Sequence, residues 1–146
     1  MKNLILLFIL LPFTVFAKFY TGSITFNNEK KITGFVEIPN YDDSKICFRF
    51  EKNGSTEKYV IEDVKGFEII NEESQVLKYI TLVLSRPKLL KPHEMKMDKQ
   101  KSWVCLIKEG GINLYSAYYY IISGRTISSG YKIYVKKENE EFGRYL

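Results

Sequence analysis

"FYTGSITFNNEKKITGFVEI", Phe19 to Ile38, decides the fold. Two runs share one pattern, a Thr-Gly step followed by alternating apolar residues, and polar "NNEK" parts them. In the second run Ile32, Phe35 and Ile38 are interleaved with Thr33 and Glu37. Period-two alternation around a turn-forming segment predicts a β-hairpin. Asn27 and Asn28 tolerate the left-handed conformation that a tight turn needs. Gly22 and Gly34, inside the strands, point to bends or to a close backbone approach.

The same grammar continues toward the C-terminus. "KICFRF" (Lys45 to Phe50) alternates cleanly, and "EKYVI" (Glu57 to Ile61) returns after Asn53-Gly54, a strong hairpin-turn signal. "EDVKG" reads as one helical turn ending at Gly66. "FEII" and "QVLKYITLVL" (Gln75 to Leu84) are strands split by "NEES"; Ile80, Thr81 and Val83 favour strand over helix. "WVCLIKE" and "INLYSAYYYII" form another hairpin around Gly110-Gly111. "SGRTISSG" reads as loop, "YKIYVKK" as strand, and "ENEEFGRYL" as a short edge strand through Phe142 and Tyr145. The expected fold is all-β, a mostly antiparallel small barrel or sandwich of about eight to ten short strands. Aromatic residues make up 15% of the chain, and such side chains suit pleated, half-buried surfaces.

The N-terminus predicts the compartment. "MKNLILLFILLPFTVFA", residues 1–17, has a charged start at Lys2, an apolar run from Leu4 to Leu11, and a small residue at Ala17. This is the pattern of a cleaved signal peptide, and the run is too short to span a bilayer. No Cys follows it to carry a lipid. Residues 18–146 then form a single exported domain, periplasmic or extracellular, with no later segment long and apolar enough to cross a membrane.

The chain has 22 basic and 17 acidic residues. The excess concentrates in "RPKLLKPHEMKMDKQK", where Arg86, Lys88, Lys91, Lys96, Lys99 and Lys101 face only Glu94 and Asp98. With two prolines and no clean period, this stretch reads as a long basic loop, mobile or lid-like. Export makes nucleic acid an improbable partner; an anionic envelope surface, a glycan or an envelope protein fits better. Lys88, Lys91, Lys96 and Lys99 are the candidate contact residues.

"YYY", Tyr118 to Tyr120, is the second candidate surface. In a strand, Tyr115 and Tyr119 share one face and Tyr118 and Tyr120 the other. The residues therefore make no single platform unless Ser116-Ala117 kinks the strand. Half of them can be buried while the others stack on sugar rings or on a partner.

The sequence assembles no catalytic set. His93 is the only histidine, and it sits on the basic stretch beside Glu94. "HEMKMD" lacks the second histidine of a zinc-protease helix, phosphate-binding Gly-rich loops are missing, and no cofactor or metal is implied. Glu62-Asp63 reads as a cap on the predicted helical turn. Cys47 and Cys105 lie in apolar strands on faces that do not match, which predicts two buried free thiols rather than a disulfide.

The motifs "TGSITF", "ITGFVEI", "YVIEDVKGFEI" and "EGGINLY" together resemble a group of small exported β-proteins of Gram-negative bacteria. The matching positions are Gly22-Ser23-Ile24, Gly34-Phe35-Val36, Tyr59 to Phe67 and Glu109 to Tyr115. The resemblance implies export and a β-fold and carries over no catalytic residue. The function expected is an exported cell-envelope binding or interaction module. The alternatives are a small secreted hydrolase with its site under residues 86–101, or a structural part of an envelope assembly.

Overall fold

The computed structural model describes residues 18–123 and 126–146; for Tyr120, Ile122, Ser123, Thr126 and Ile127 it describes the backbone alone. The predicted signal peptide lies outside the described residues. Ten strands follow one another, with no helix among the described residues: β1 (Phe19–Phe26), β2 (Lys31–Glu37), β3 (Lys45–Arg49), β4 (Glu57–Val60), β5 (Val64–Ile70), β6 (Val76–Lys88), β7 (Lys91–Lys108), β8 (Ile112–Ser123), β9 (Thr126–Lys137) and β10 (Phe142–Tyr145). They form one continuous sheet in the order β10-β9-β8-β7-β6-β5-β1-β2-β3-β4, and β10 also pairs with β6. That extra pairing closes β6 to β10 into a five-stranded barrel, while β1 to β5 curl away from its side. The all-β expectation holds. The sheet is mixed, because β10 runs parallel to β6 and antiparallel to β9.

The opening hairpin forms as expected. Gly22 sits directly opposite Gly34. A Cβ on Gly22 would stand 2.2 Å from the Glu68 carbonyl oxygen, and one on Gly34 would stand 2.3 Å from that of Arg49. The two glycines thus let four strands approach, β1 against β5 and β2 against β3, where a side chain would part them. The left-handed residue of the turn is not an asparagine but Glu29, at φ 63°. Asn28 acts through its side chain instead, accepting the Lys30 N–H at 3.1 Å.

Further expectations are corrected. "EDVKG" does not run as one helical turn to Gly66: a turn over Ile61–Asp63 ends where β5 starts at Val64, and Gly66 lies inside β5 with the Tyr79 carbonyl oxygen 2.4 Å from where its Cβ would be. Val64, Phe67 and Ile69 are all buried, and pairing with both β1 and β6 outweighs one local turn. Glu62-Asp63 therefore caps no helix. The basic stretch is not a loop: Arg86–Lys88 and Lys91–Lys96 pair with each other across a turn at Leu89-Leu90. Each strand has one partner there, so Pro87 and Pro92 cost few ladder bonds. "TISSG" belongs to β9, paired residue for residue with β8. Finally, β10 is no edge, since it closes the barrel. The turn between β7 and β8 takes in Glu109 as well as the two glycines, with a bulge after Leu106.

Two cores result. Ile24, Val36, Ile46, Phe48, Phe67 and Ile69 fill the curl of β1 to β5. Leu82, Leu84, Val104, Tyr115, Ala117 and Tyr134 fill the barrel. Alternation along β7 serves both at once, with Trp103 in the first core and Val104 in the second. The connection between β2 and β3 laces the halves together. The Tyr41 N–H donates to the Tyr118 carbonyl at 3.0 Å, and the Trp103 N–H donates to the Tyr41 carbonyl at 2.9 Å. Trp103 Nε1 also donates to the Asp43 carbonyl at 2.8 Å.

Candidate functional site: a tyrosine-walled groove and a basic ribbon

β8 runs without a kink, so its tyrosines alternate. Tyr115 is buried in the barrel with Ala117. Tyr119, on the same face, covers Gly130, where a Cβ would stand 2.9 Å from its hydroxyl oxygen. Lys132 Nζ lies 5.1 Å from the Tyr119 ring centre and donates to the Tyr41 hydroxyl at 3.2 Å. Tyr119 thus lies half-buried on the barrel face of β8, on the opposite side from Tyr118. The Tyr120 side chain lies outside the described residues.

Tyr118 points the other way and is half-buried. It sits directly opposite Tyr131 of β9, ring centres 5.4 Å apart and planes tilted by 51°. Together with Tyr20 of β1 and Tyr79 of β6 they wall a hollow of about 350 Å³ at the seam between curl and barrel, completed by Lys18, Glu37 and Ile38. Tyr79 is held firmly, stacked on Phe67 at 4.4 Å between ring centres. Burial, and then the Cys105 thiol beside it, raises the Tyr79 hydroxyl well above its ordinary value, so it stays a neutral donor. Lys18 Nζ lies 5.3 Å from the Tyr20 ring centre and also pairs with Glu72. Glu37 reaches toward β3, where burial and its hydrogen bond with Cys47 push that thiol's pKa up. The floor and walls are therefore aromatic, with hydroxyls, a carboxylate and an ammonium at the rim.

Sequence reasoning picked out only Tyr118 among these residues. Tyr131 was within reach: pairing Ser123 with Thr126 places it opposite Tyr118, but reading "TISSG" as loop hid that register. Tyr20 and Tyr79 come from distant strands and carry no local signal.

The other candidates, Lys88, Lys91, Lys96 and Lys99, lie along the β6–β7 ribbon. Lys88 and Lys91 share Glu94, at 2.5 and 3.1 Å, and these two hydrogen bonds lower the Glu94 pKa. Arg86 pairs with Asp98 at 3.2 Å. Lys96, Lys99 and Lys101 have no ion pair among the described residues. At the ribbon's base a polar hollow of about 500 Å³ is lined by Tyr41, Asp42, Arg86, Asp98 and residues 99–102. His93 is not among them. Its side chain is 80% exposed, with the Glu94 carboxylate 4.0 Å away.

Cys47 and Cys105 are free, as expected, but half-buried rather than fully buried. Among the described residues, no three His, Cys, Asp or Glu side chains gather to hold a metal ion. No described helix is long and apolar enough to cross a membrane. No family model, no curated protein and no solved structure matches this chain.

Proposed function

We propose that this protein is an exported binding module of the cell envelope, and that the tyrosine-walled groove holds its ligand. One observation carries the proposal: four tyrosines from four separate strands converge on a single hollow where the two halves of the fold meet. A ring-shaped, hydroxyl-rich ligand such as a saccharide suits this chemistry. Its C–H faces stack on aromatic rings, and its hydroxyls reach the tyrosine hydroxyls, Glu37 and Lys18. The leader sequence and the motif resemblance to exported Gram-negative β-proteins supply the compartment in this reading.

A hydrolase fits the geometry less well. The polar hollow under the ribbon has carboxylates, but the only histidine faces solvent away from it. General acid–base work by His93 needs a substrate held within hydrogen-bond reach, and this side chain is 80% exposed.

Titration with soluble envelope glycans, followed by backbone amide shifts, tests the proposal. Shifts are expected on Tyr20, Tyr79, Tyr118 and Tyr131, and a Tyr118→Ala/Tyr131→Ala variant is expected to bind roughly tenfold more weakly. Shifts confined to the ribbon hollow, or none at any glycan concentration, would sink it.

A further inference from the structure

The outer end of the β6–β7 hairpin is built unlike the rest of the molecule. Beyond Ser85, where β10 leaves β6, the two strands pair only with each other. They run about 10 Å past the barrel, at roughly 3.3 Å per residue over Arg86–Lys88. The turn at their tip is Leu89-Leu90, 96% and 92% exposed. Two apolar side chains at a loop tip gain nothing from the fold itself. Met95 and Met97, 41% and 50% exposed, share a face with Pro87 behind the tip. Cations surround this apolar end: Lys88 and Lys91 flank the leucines with only Glu94 between them, and Lys96, Lys99 and Lys101 follow down the ribbon.

We propose that this ribbon docks the protein on an anionic lipid bilayer, with Leu89 and Leu90 sunk among the headgroups and the lysines resting on lipid phosphates. Three features favour lipid over a protein partner. The tip is convex and two residues wide, whereas a standard protein interface needs about 800 Å² from each side. A fluid bilayer closes around a narrow wedge, which a rigid surface does not. Docked in this way, long lysine stems would lie along apolar surface with their ammonium groups at the charged boundary, the arrangement that interfaces reward. The ribbon's positive excess and the negative charge of such a surface are complementary. The docking does not depend on what the tyrosine groove holds.

Sedimentation with vesicles tests it. The exported chain is expected to bind vesicles of phosphatidylcholine mixed with phosphatidylglycerol, and to release as salt is raised. Pure phosphatidylcholine should retain it at least several-fold less. The Leu89→Ser/Leu90→Ser variant is expected to lose on the order of tenfold or more in affinity for the anionic vesicles. Its melting curve should match that of the parent, since neither leucine touches a core. A Leu90→Trp variant should shift its fluorescence to the blue on anionic vesicles alone. The Tyr118→Ala/Tyr131→Ala variant should bind vesicles normally, which separates failure here from failure of the groove. Vesicle binding that is absent, or indifferent to the leucine pair, overturns the proposal. So does a dimer that the serine variant dissolves, because a second copy would then be what covers the tip.

Discussion

The two ends of the β6–β7 hairpin share strands and share pairing, yet they stand in different solvents. At the inner end, Tyr79–Val83 lies opposite Lys101–Cys105, and Leu82, Trp103 and Val104 are buried. At the outer end, Arg86–Lys88 lies opposite Lys91–Lys96, and Leu89, Leu90, Met95 and Met97 face water. A register shift between Val83 and Ser85 marks the border. Ladder hydrogen bonds therefore suffice to keep a strand extended, while stability comes from what the side chains cover. The inner end serves the fold. The outer end contributes little to it and remains free to serve contact with something else.

Substitutions break this comparison in a definite order. Trp103→Ala should cost most, about 3–5 kcal/mol in denaturant unfolding. It empties the largest buried side chain, loses the edge contact with Phe67 at 5.6 Å between ring centres, and orphans the Asp43 carbonyl. A loss under about 1 kcal/mol would mean that the inner end is not what holds the halves together. Ser85→Ala, at the border, should cost about 1 kcal/mol. Its buried hydroxyl donates to the Gly143 carbonyl at 3.1 Å and ties β6 to the strand that closes the barrel. An unchanged melting temperature would show that the closure does not need this bond.

Tyr134→Phe should be nearly silent at neutral pH and visible only in alkali. Burial, with Tyr41 nearby, pushes the Tyr134 hydroxyl up to about 12. The folded chain keeps this proton where the unfolded chain, with an ordinary value near 10, has released it. The contribution is intact below about pH 10 and is lost as pH rises toward 12. The phenylalanine variant should therefore lose less stability over that window, measured by urea melts at stepped pH. Tyr59 and Tyr79 are shifted in the same direction, so the slope should shrink rather than vanish. Smallest of all is Leu89→Ser/Leu90→Ser, expected within about 0.5 kcal/mol of the parent. A larger loss would show that the outer end supports the fold after all.

Much of the strand content was legible. The hairpins at Phe19–Ile38 and Lys45–Ile61, and strand rather than helix at Gln75–Leu84, follow from alternation, β-branched residues and turn chemistry. The misreadings share one cause. "VKG", "TISSG" and the proline-bearing basic stretch carry weak local preferences, and in each the neighbouring strand imposed extension. Gly66 looked like a terminator because glycine ends helices; here it makes room for the Tyr79 carbonyl. Of the candidate contact residues, the lysines were legible as a charge run. Parity within the strand also put Tyr118 and Tyr119 on opposite faces, as they lie.

By itself the sequence determined what depends on near neighbours: period-two strands, the places of the first hairpin turns, the basic run, and which tyrosines share a face. Those properties follow from local sterics and from the pleat, which repeats every two residues. Tertiary structure alone decided the closure of β10 onto β6, the split into two cores across Trp103 and Val104, and the meeting of Tyr20, Tyr79, Tyr118 and Tyr131. These join residues up to 111 positions apart, from Tyr20 to Tyr131. No local preference encodes such a meeting; it depends on how the whole sheet twists and on which apolar faces must leave water together.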